Sequence, residues 1–241
     1  MTYCVAMRLK AGLLFASDTR SNAGVDHIST FRKMTLFEQP GERLICILNA
    51  GNLATTQSVI SLLRQRAQHE GEQLLSTGSL YDAAALLGRT LKEVLARDAD
   101  PATQGVDFGA SFIIGGQIRG EAPRLFQIYP QGNFIEASED TPYFQIGEAK
   151  YGKPIIDRVI RYDSSLAEAT KCTLISFDST IRSNLSVGLP IDMLLHRADR
   201  FEPAAPHRIE ATDPYFLKLS RGWGEGLRRV FGKLPDEEWF S

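Results

Sequence analysis

The chain of 241 residues has 27 Lys and Arg against 29 Asp and Glu, a net charge of −2, and 43% hydrophobic residues. That balance makes no electrostatic case for nucleic acid or an anionic membrane as a partner, and no apolar run approaches the roughly 20 residues of a membrane span. Length and composition suit one domain over 1–241 with a sizeable core. The opening residues lack a charged n-region, an apolar h-region and a small-residue cleavage site. Cys4, Cys46 and Cys172 are odd in number, far apart and in apolar surroundings. They read as buried free thiols of a cytoplasmic protein.

In chain order, residues 2–9 and 13–18 are apolar-rich runs split by Lys10-Ala11-Gly12, a tight-hairpin signal. Residues 19–30 are polar and read as a loop. Residues 33–37 and 44–48 form a second pair across a turn at Gln39-Pro40-Gly41-Glu42. Asn49-Ala50-Gly51-Asn52 then breaks the strand and opens a helix with Leu53, Val59, Ile60, Leu62 and Leu63 on its apolar side. Ser79 is the expected N-cap of a second helix, in which Leu80, Ala83, Ala84, Leu87, Leu91, Val94 and Leu95 recur at helical spacing.

Strands resume at 108–114, closed by Gly115-Gly116, and at 124–129 and 133–137. Helices are predicted at 151–160 and 165–181, and a strand at 190–196. Asp213-Pro214 opens a helical C-terminal extension over about 213–241. The aromatics of that extension, through Trp239-Phe240, suit packing under a terminal helix or a subunit contact. Two consecutive helices without an intervening strand argue against simple βαβ alternation. Strands in blocks and helices in pairs suit an α+β fold of two stacked antiparallel sheets with helix layers outside.

Several motifs are absent. The four His residues form no HExxH, and no Cys pair has zinc-finger spacing, so no metal or other cofactor is expected. There is no P-loop at Lys153, no GxGxxG at 115–120 and no nucleophile elbow at 109.

What remains is Thr2. Methionine is normally removed ahead of a small residue, and Thr2 would then carry a hydroxyl and a free α-amine. An α-amine has an ordinary pKa of about 7.7–8.0. It can take the hydroxyl proton directly or through one water, so nucleophile and base sit in one residue. Such a site needs a cation to keep the amine neutral, which Lys33 can supply, and an anion to hold that cation, which Asp18 can supply. It also needs a backbone N–H for the developing oxyanion, for which Gly51 is placed. Each residue has a plainer reading: Asp18 as a turn cap, Lys33 as a strand-edge lysine, Gly51 as a strand break. The ordered set Thr2, Asp18, Lys33, Gly51 on four strands followed by a helix is harder to obtain by chance.

That ordered set resembles the β-type proteasome subunits and their bacterial relatives, within the N-terminal nucleophile hydrolases. IGEAKYGKPIIDR at 146–158 and DSTIRSNLSVGLP at 178–190 are similar to the Anbu group, the ancestral β-subunits of bacteria. The resemblance implies a four-layer αββα sandwich, threonine-dependent amide hydrolysis without a metal, a peptide or unfolded-polypeptide substrate, and homo-oligomeric assembly into rings or open helical turns. It makes Thr2 nucleophile and base, has Lys33 tune its pKa, pairs Asp18 with Lys33, and makes Gly51 the oxyanion donor. It places Ser186 near the amine, where it helps hold the water, and puts Thr35, Asn49 and Leu53 in the specificity pocket. Two positions depart from the pattern: Ser183 stands where an Asp is usual, and Glu148 where a Ser is usual. The first removes an anchor of the amine; the second puts an acid near it, which raises an amine's pKa if it lies close. These departures keep open a weakly active or inactive scaffold subunit, and the fold keeps open a small-amide hydrolase.

Overall fold

The structure, a computed structural model, describes residues 2–22, 28–68, 71–99, 106–237 and 239. Its strands are β1 (Tyr3–Leu9), β2 (Gly12–Asp18), β3 (Arg20–Asn22), β4 (Ile28–Thr30), β5 (Met34–Gln39), β6 (Arg43–Gly51), β7 (Ala110–Ile118), β8 (Arg124–Ile128), β9 (Phe134–Glu136), β10 (Tyr143–Gly147), β11 (Ile191–Arg197) and β12 (His207–Ile209). Its α-helices are α1 (Leu53–Arg66), α2 (Leu80–Asp98), α3 (Lys153–Val159), α4 (Leu166–Ser183) and α5 (Pro214–Phe231). One antiparallel sheet has the order β10-β1-β2-β11-β12 and the other β5-β6-β7-β8-β9.

Three apolar layers separate four structural ones. Successive strand residues point to opposite faces, so both faces of each sheet can be apolar only where both are covered. In β1, Cys4 and Ala6 meet Phe15, Leu48, Ile113 and Phe144 between the sheets. Tyr3, Val5 and Met7 turn the other way, onto Ile156, Cys172 and Phe177 of α3 and α4. The second sheet sends Ile45, Ile47, Phe112 and Ile114 onto Val59, Leu63, Leu87 and Leu91 of α1 and α2. This is the expected α+β sandwich, helix–sheet–sheet–helix.

Local signals explain the helix starts. Asn52 accepts a hydrogen bond from the Thr55 N–H at 3.1 Å, and Ser79 accepts from Asp82 N–H at 3.1 Å. Ser165 and Glu168 form a reciprocal capping box ahead of α4. All three cysteines are buried and unbridged, as their surroundings suggested.

The boundaries need four corrections. The polar stretch 19–30 is not simply a loop: its ends pair as the ribbon β3-β4, while residues 23–27 lie outside the described set. A polar ribbon standing off the sheets has no apolar alternation to reveal it. Strand β6 runs on through Asn49 and Ala50 to Gly51 before Asn52 caps α1. Gly115 and Gly116 sit inside β7, paired with Cys46 and Ile45, rather than ending it. A Cβ on Gly115 would lie 3.1 Å from the Phe15 ring, so the missing side chain makes room for the facing sheet. Finally, β10 was not expected; five residues on the edge of a sheet carry too short a pattern to stand out.

In the C-terminal extension, Phe216 is the buried residue of α5, while Tyr215, Leu227, Val230 and Phe231 are exposed. Packing under the helix therefore accounts for Phe216 and not for the others. Phe240 lies outside the described residues. Among the described residues, no helix is long and apolar enough to cross a membrane.

Candidate active site

Thr2 leads directly into β1, and its backbone is held on both sides. Its carbonyl accepts the Glu148 N–H at 2.7 Å. The approach is close because Gly147, the last residue of β10, has φ +81°; a Cβ there would lie 1.9 Å from the Thr2 oxygen. The next amide, Tyr3 N–H, donates to Asp18 Oδ1 at 3.0 Å. Asp18 ends β2 beside Ile191 of β11, and its side chain is fully buried.

Lys33 supplies Asp18 with its cation. Its Nζ donates to Asp18 Oδ1 at 2.7 Å and to the Arg20 carbonyl at 2.5 Å, and Lys33 is itself buried. Burial pushes the Asp18 carboxyl above its ordinary range; Lys33, the Tyr3 amide and the nearby Gly188 amide all pull against that shift. Gly188 N–H faces the carboxylate without completing a bond, and Oδ2 has no hydrogen-bond partner of good geometry. Removing two opposite charges from water is expensive, and a buried pair of this kind holds only while both partners remain. Asp18 and Lys33 are therefore neither a turn cap nor a solvated edge lysine.

Arg20 did not stand out in the sequence. Its carbonyl accepts from Lys33, and its guanidinium reaches over Gly188 to the Leu185 carbonyl at 2.9 Å. The available signal was its position two residues after Asp18 in an extended segment, which returns the chain to the same side.

Gly51 closes β6 with φ +111°, and a Cβ there would lie 2.4 Å from the Gly109 carbonyl. Asn49 N–H donates to Lys33 O, and Asn52 N–H donates the opposite way, to Gly109 O. Strand alternation sends the Gly51 N–H to the same side as that of Asn49, past the end of the β5 pairing at Met34. A cleft of about 570 Å³ opens there, lined by Thr2, Lys33 and Gly51 and also by Thr35, Asn49 and Leu53. With Asp18 bonded to Lys33 beside it, the structure thus brings together seven of the residues singled out in the sequence.

The remaining three lie on the other flank of Thr2 or away from it. Glu148 is buried; its Oε2 accepts from Asn184 Nδ2 at 2.8 Å, and Oε1 lies 3.7 Å from Lys150 Nζ. Asn184 Oδ1 accepts the Ser186 N–H at 2.9 Å. Ser186 is thereby joined to Thr2 through Asn184, Glu148 and the Glu148 backbone. Asn184 was the second residue missed. Ser183 ends α4 and is exposed, and among the described residues no hydrogen bond joins its side chain to this group.

Cys4, the nearest thiol in sequence, is excluded as a nucleophile. Burial drives its pKa well up, and its Sγ is turned toward the Asn49 carbonyl at 3.6 Å. Among the described residues no group of three or more His, Cys, Asp or Glu is placed to hold a metal.

Comparison with known proteins agrees with this geometry. The chain matches the proteasome subunit family over residues 2–193. It also matches the structure of Anbu (ancestral β-subunit) from Yersinia bercovieri at 58% identity and a TM-score of 0.93, over 98% of this chain and 99% of that one. The chain belongs to the proteasome-subunit family, in its Anbu group. The helical assembly of the Anbu complex from Pseudomonas aeruginosa is 52% identical, with a TM-score of 0.95 and 98% of each chain covered. Anbu from Hyphomicrobium sp. strain MC1 is 51% identical, with a TM-score of 0.91, over 98% of this chain and all 100% of that one. No curated protein matches the chain. The proteasome-subunit match begins at Thr2, which lines the cleft with Lys33 and directly precedes the Tyr3 amide bonded to Asp18.

Proposed function

We propose that this proteasome-family subunit is a threonine-dependent amide hydrolase acting on peptides or unfolded polypeptides in the cytoplasm as a homo-oligomer. In this reading, removal of Met1 frees the Thr2 amine. The Thr2 hydroxyl oxygen attacks the substrate carbonyl while its proton passes to the amine, directly or through a water. The oxyanion that forms accepts from Gly51 N–H. The proton then moves to the departing amine, the C–N bond breaks, and the substrate acyl group remains on the Thr2 oxygen. A water, deprotonated by the same amine, releases it and restores the hydroxyl. The Lys33 ammonium, fixed by Asp18 and the Arg20 carbonyl, disfavours a second positive charge on the amine and favours the alkoxide-like transition state.

The observation that carries this reading is the buried Asp18–Lys33 pair hydrogen-bonded through Tyr3 N–H to the strand that begins at Thr2. A structural subunit has no need of a buried ion pair there, since an apolar pair of similar volume is often as stable. The homo-oligomer is proposed by likeness to a relative: the Pseudomonas aeruginosa Anbu complex is a helical assembly. The test is reaction with a threonine-directed electrophile, followed by intact mass and peptide mapping. One equivalent on Thr2 supports the proposal; a quantitatively retained Met1 with no adduct overturns it.

A second reading has one observation in its favour. Glu148 is an acid buried on the flank of Thr2 where the family pattern has a neutral hydroxyl. On that reading the subunit is a scaffold with a residual site, and the electrophile gives no adduct even on a chain that begins at Thr2. A small-amide hydrolase on the same fold is distinguished by turnover of short amides and not of polypeptides.

A further inference from the structure

The cleft beside Thr2 is a groove between an edge strand and a helix. On one side run residues 31–36, entering β5, whose only ladder partner among the described residues is β6. On the other side α1 presents Leu53, Thr56, Gln57, Ile60, Ser61 and Arg64. These follow the i, i+3, i+4, i+7 spacing of one helix face, so a single stripe forms that wall from end to end. Eleven residues separate Leu53 from Arg64, which at helical rise is about 16 Å. An extended peptide covers that distance with about five residues. The unpaired edge of β5 offers such a peptide main-chain hydrogen bonds.

The groove's charge is one-sided. Arg32, Lys33 and Arg64 line it, and none of the described lining residues is acidic. Lys33 is compensated by Asp18. Arg32 and Arg64 are exposed, and among the described residues neither forms an ion pair. Arg32 adjoins Lys33 at the Thr2 end; Arg64 lies in the last turn of α1, at the far end. A chain with a net charge of −2 has therefore placed two uncompensated cations at the two ends of one peptide-length groove.

We infer that the groove selects polypeptide segments with acidic side chains, Arg32 receiving a carboxylate close to the reacting carbonyl and Arg64 a second one several residues away. This rests on the groove being where substrate lies, as the proposed function requires, and goes further by assigning the substrate's charge. Both arginines are exposed, so each pairing is modest, about fivefold at most, and added salt weakens it because the Debye length is about 8 Å at physiological ionic strength.

The test separates selection from turnover by measuring binding on full-length Thr2→Ala in its native assembly. Fluorescent octapeptide amides carrying Glu, Gln or Lys at alternate positions are titrated by anisotropy, with the Gln peptide also made as a C-terminal acid. The expected order is Glu over Gln by about tenfold and Gln over Lys, collapsing in 1 M salt. R32E/R64E reverses the order, and R32Q/R64Q, which keeps the side chains long and polar, levels it. Equal binding of the Glu and Gln peptides overturns the inference, as does an order that neither double variant changes. A gain produced only by the C-terminal acid, or no binding of any peptide, also overturns it. The electrophile reaction of unmodified Thr2 does not depend on any of these outcomes, so selectivity and hydrolysis fail separately.

Discussion

The two flanks of Thr2 are built on different plans. On the first, Asp18 and Lys33 form a buried ion pair bonded to the Tyr3 amide and the Arg20 carbonyl, and the cleft opens beside it. On the second, a buried acid, Glu148, is held by Asn184, which in turn holds Ser186. The first flank has the charges a threonine nucleophile needs. The second places a buried acid, with Lys150 3.7 Å from it, where the family pattern has a neutral hydroxyl. The contrast teaches that the groups the proposed mechanism assigns to the hydroxyl and those it assigns to the amine are delivered by separate elements: β2 and the segment entering β5 for one, β10 and the segment after α4 for the other.

Each prediction breaks or sharpens that contrast. The largest effect is that of Thr2→Ala, which removes the nucleophile and leaves both flanks intact; turnover and electrophile labelling fall by at least about a thousandfold, with folding unchanged by circular dichroism. Next is Lys33→Met, which breaks the first flank. It leaves Asp18 buried without its cation, costing about 3–5 kcal/mol in chemical denaturation. The sign of its pH dependence follows from burial, which already raises the Asp18 pKa in the presence of Lys33. Without Lys33 the folded pKa rises further above the unfolded value. The protonated acid is then the comfortable form, so the variant's deficit against wild type is smallest at acid pH and grows as pH rises from the unfolded pKa toward the folded one. A deficit that shrank with rising pH would contradict the charge assignment.

Gly147→Ala acts on the joint between the flanks. Its φ of +81° and the 1.9 Å approach of a Cβ to the Thr2 carbonyl require β10 to shift. The expected cost is about 1–3 kcal/mol, together with slower labelling of Thr2. The smallest effect is that of Glu148→Gln, which sharpens the second flank. An anion near the amine favours the ammonium form, so removing it lowers the amine pKa. The pH–rate profile of electrophile labelling then moves to lower pH, by less than about one unit if the groups are separated by solvent-accessible space. An unmoved profile would show that Glu148 serves only to hold Asn184.

The sequence made much of the first flank legible because it is a one-dimensional pattern. Asp18 and Lys33 sit at strand ends whose apolar runs are easily seen, and Gly51 stands where a strand meets a capped helix. The second flank was read from a resemblance, because it depends on β10, a five-residue edge strand, and on the register that sets Tyr3 opposite Gly147. Asn184 carries no local signal of its own, since its use follows from where α4 ends; Arg20 carries only its position two residues after Asp18, and its use rests on its main-chain carbonyl. The same limit explains the strand boundaries. Gly115 and Gly116 look like a stop in isolation, but the room they leave for Phe15 is visible only with the other sheet in place.

The most direct test of the Thr2 mechanism is intact mass spectrometry of the purified protein before and after exposure to a threonine-directed electrophile. The expected result is a chain that begins at Thr2 and gains one equivalent, with the adduct mapped to Thr2 and absent from Lys33→Met. A chain that begins at Thr2 and remains unlabelled, or that is labelled equally well without Lys33, would contradict it.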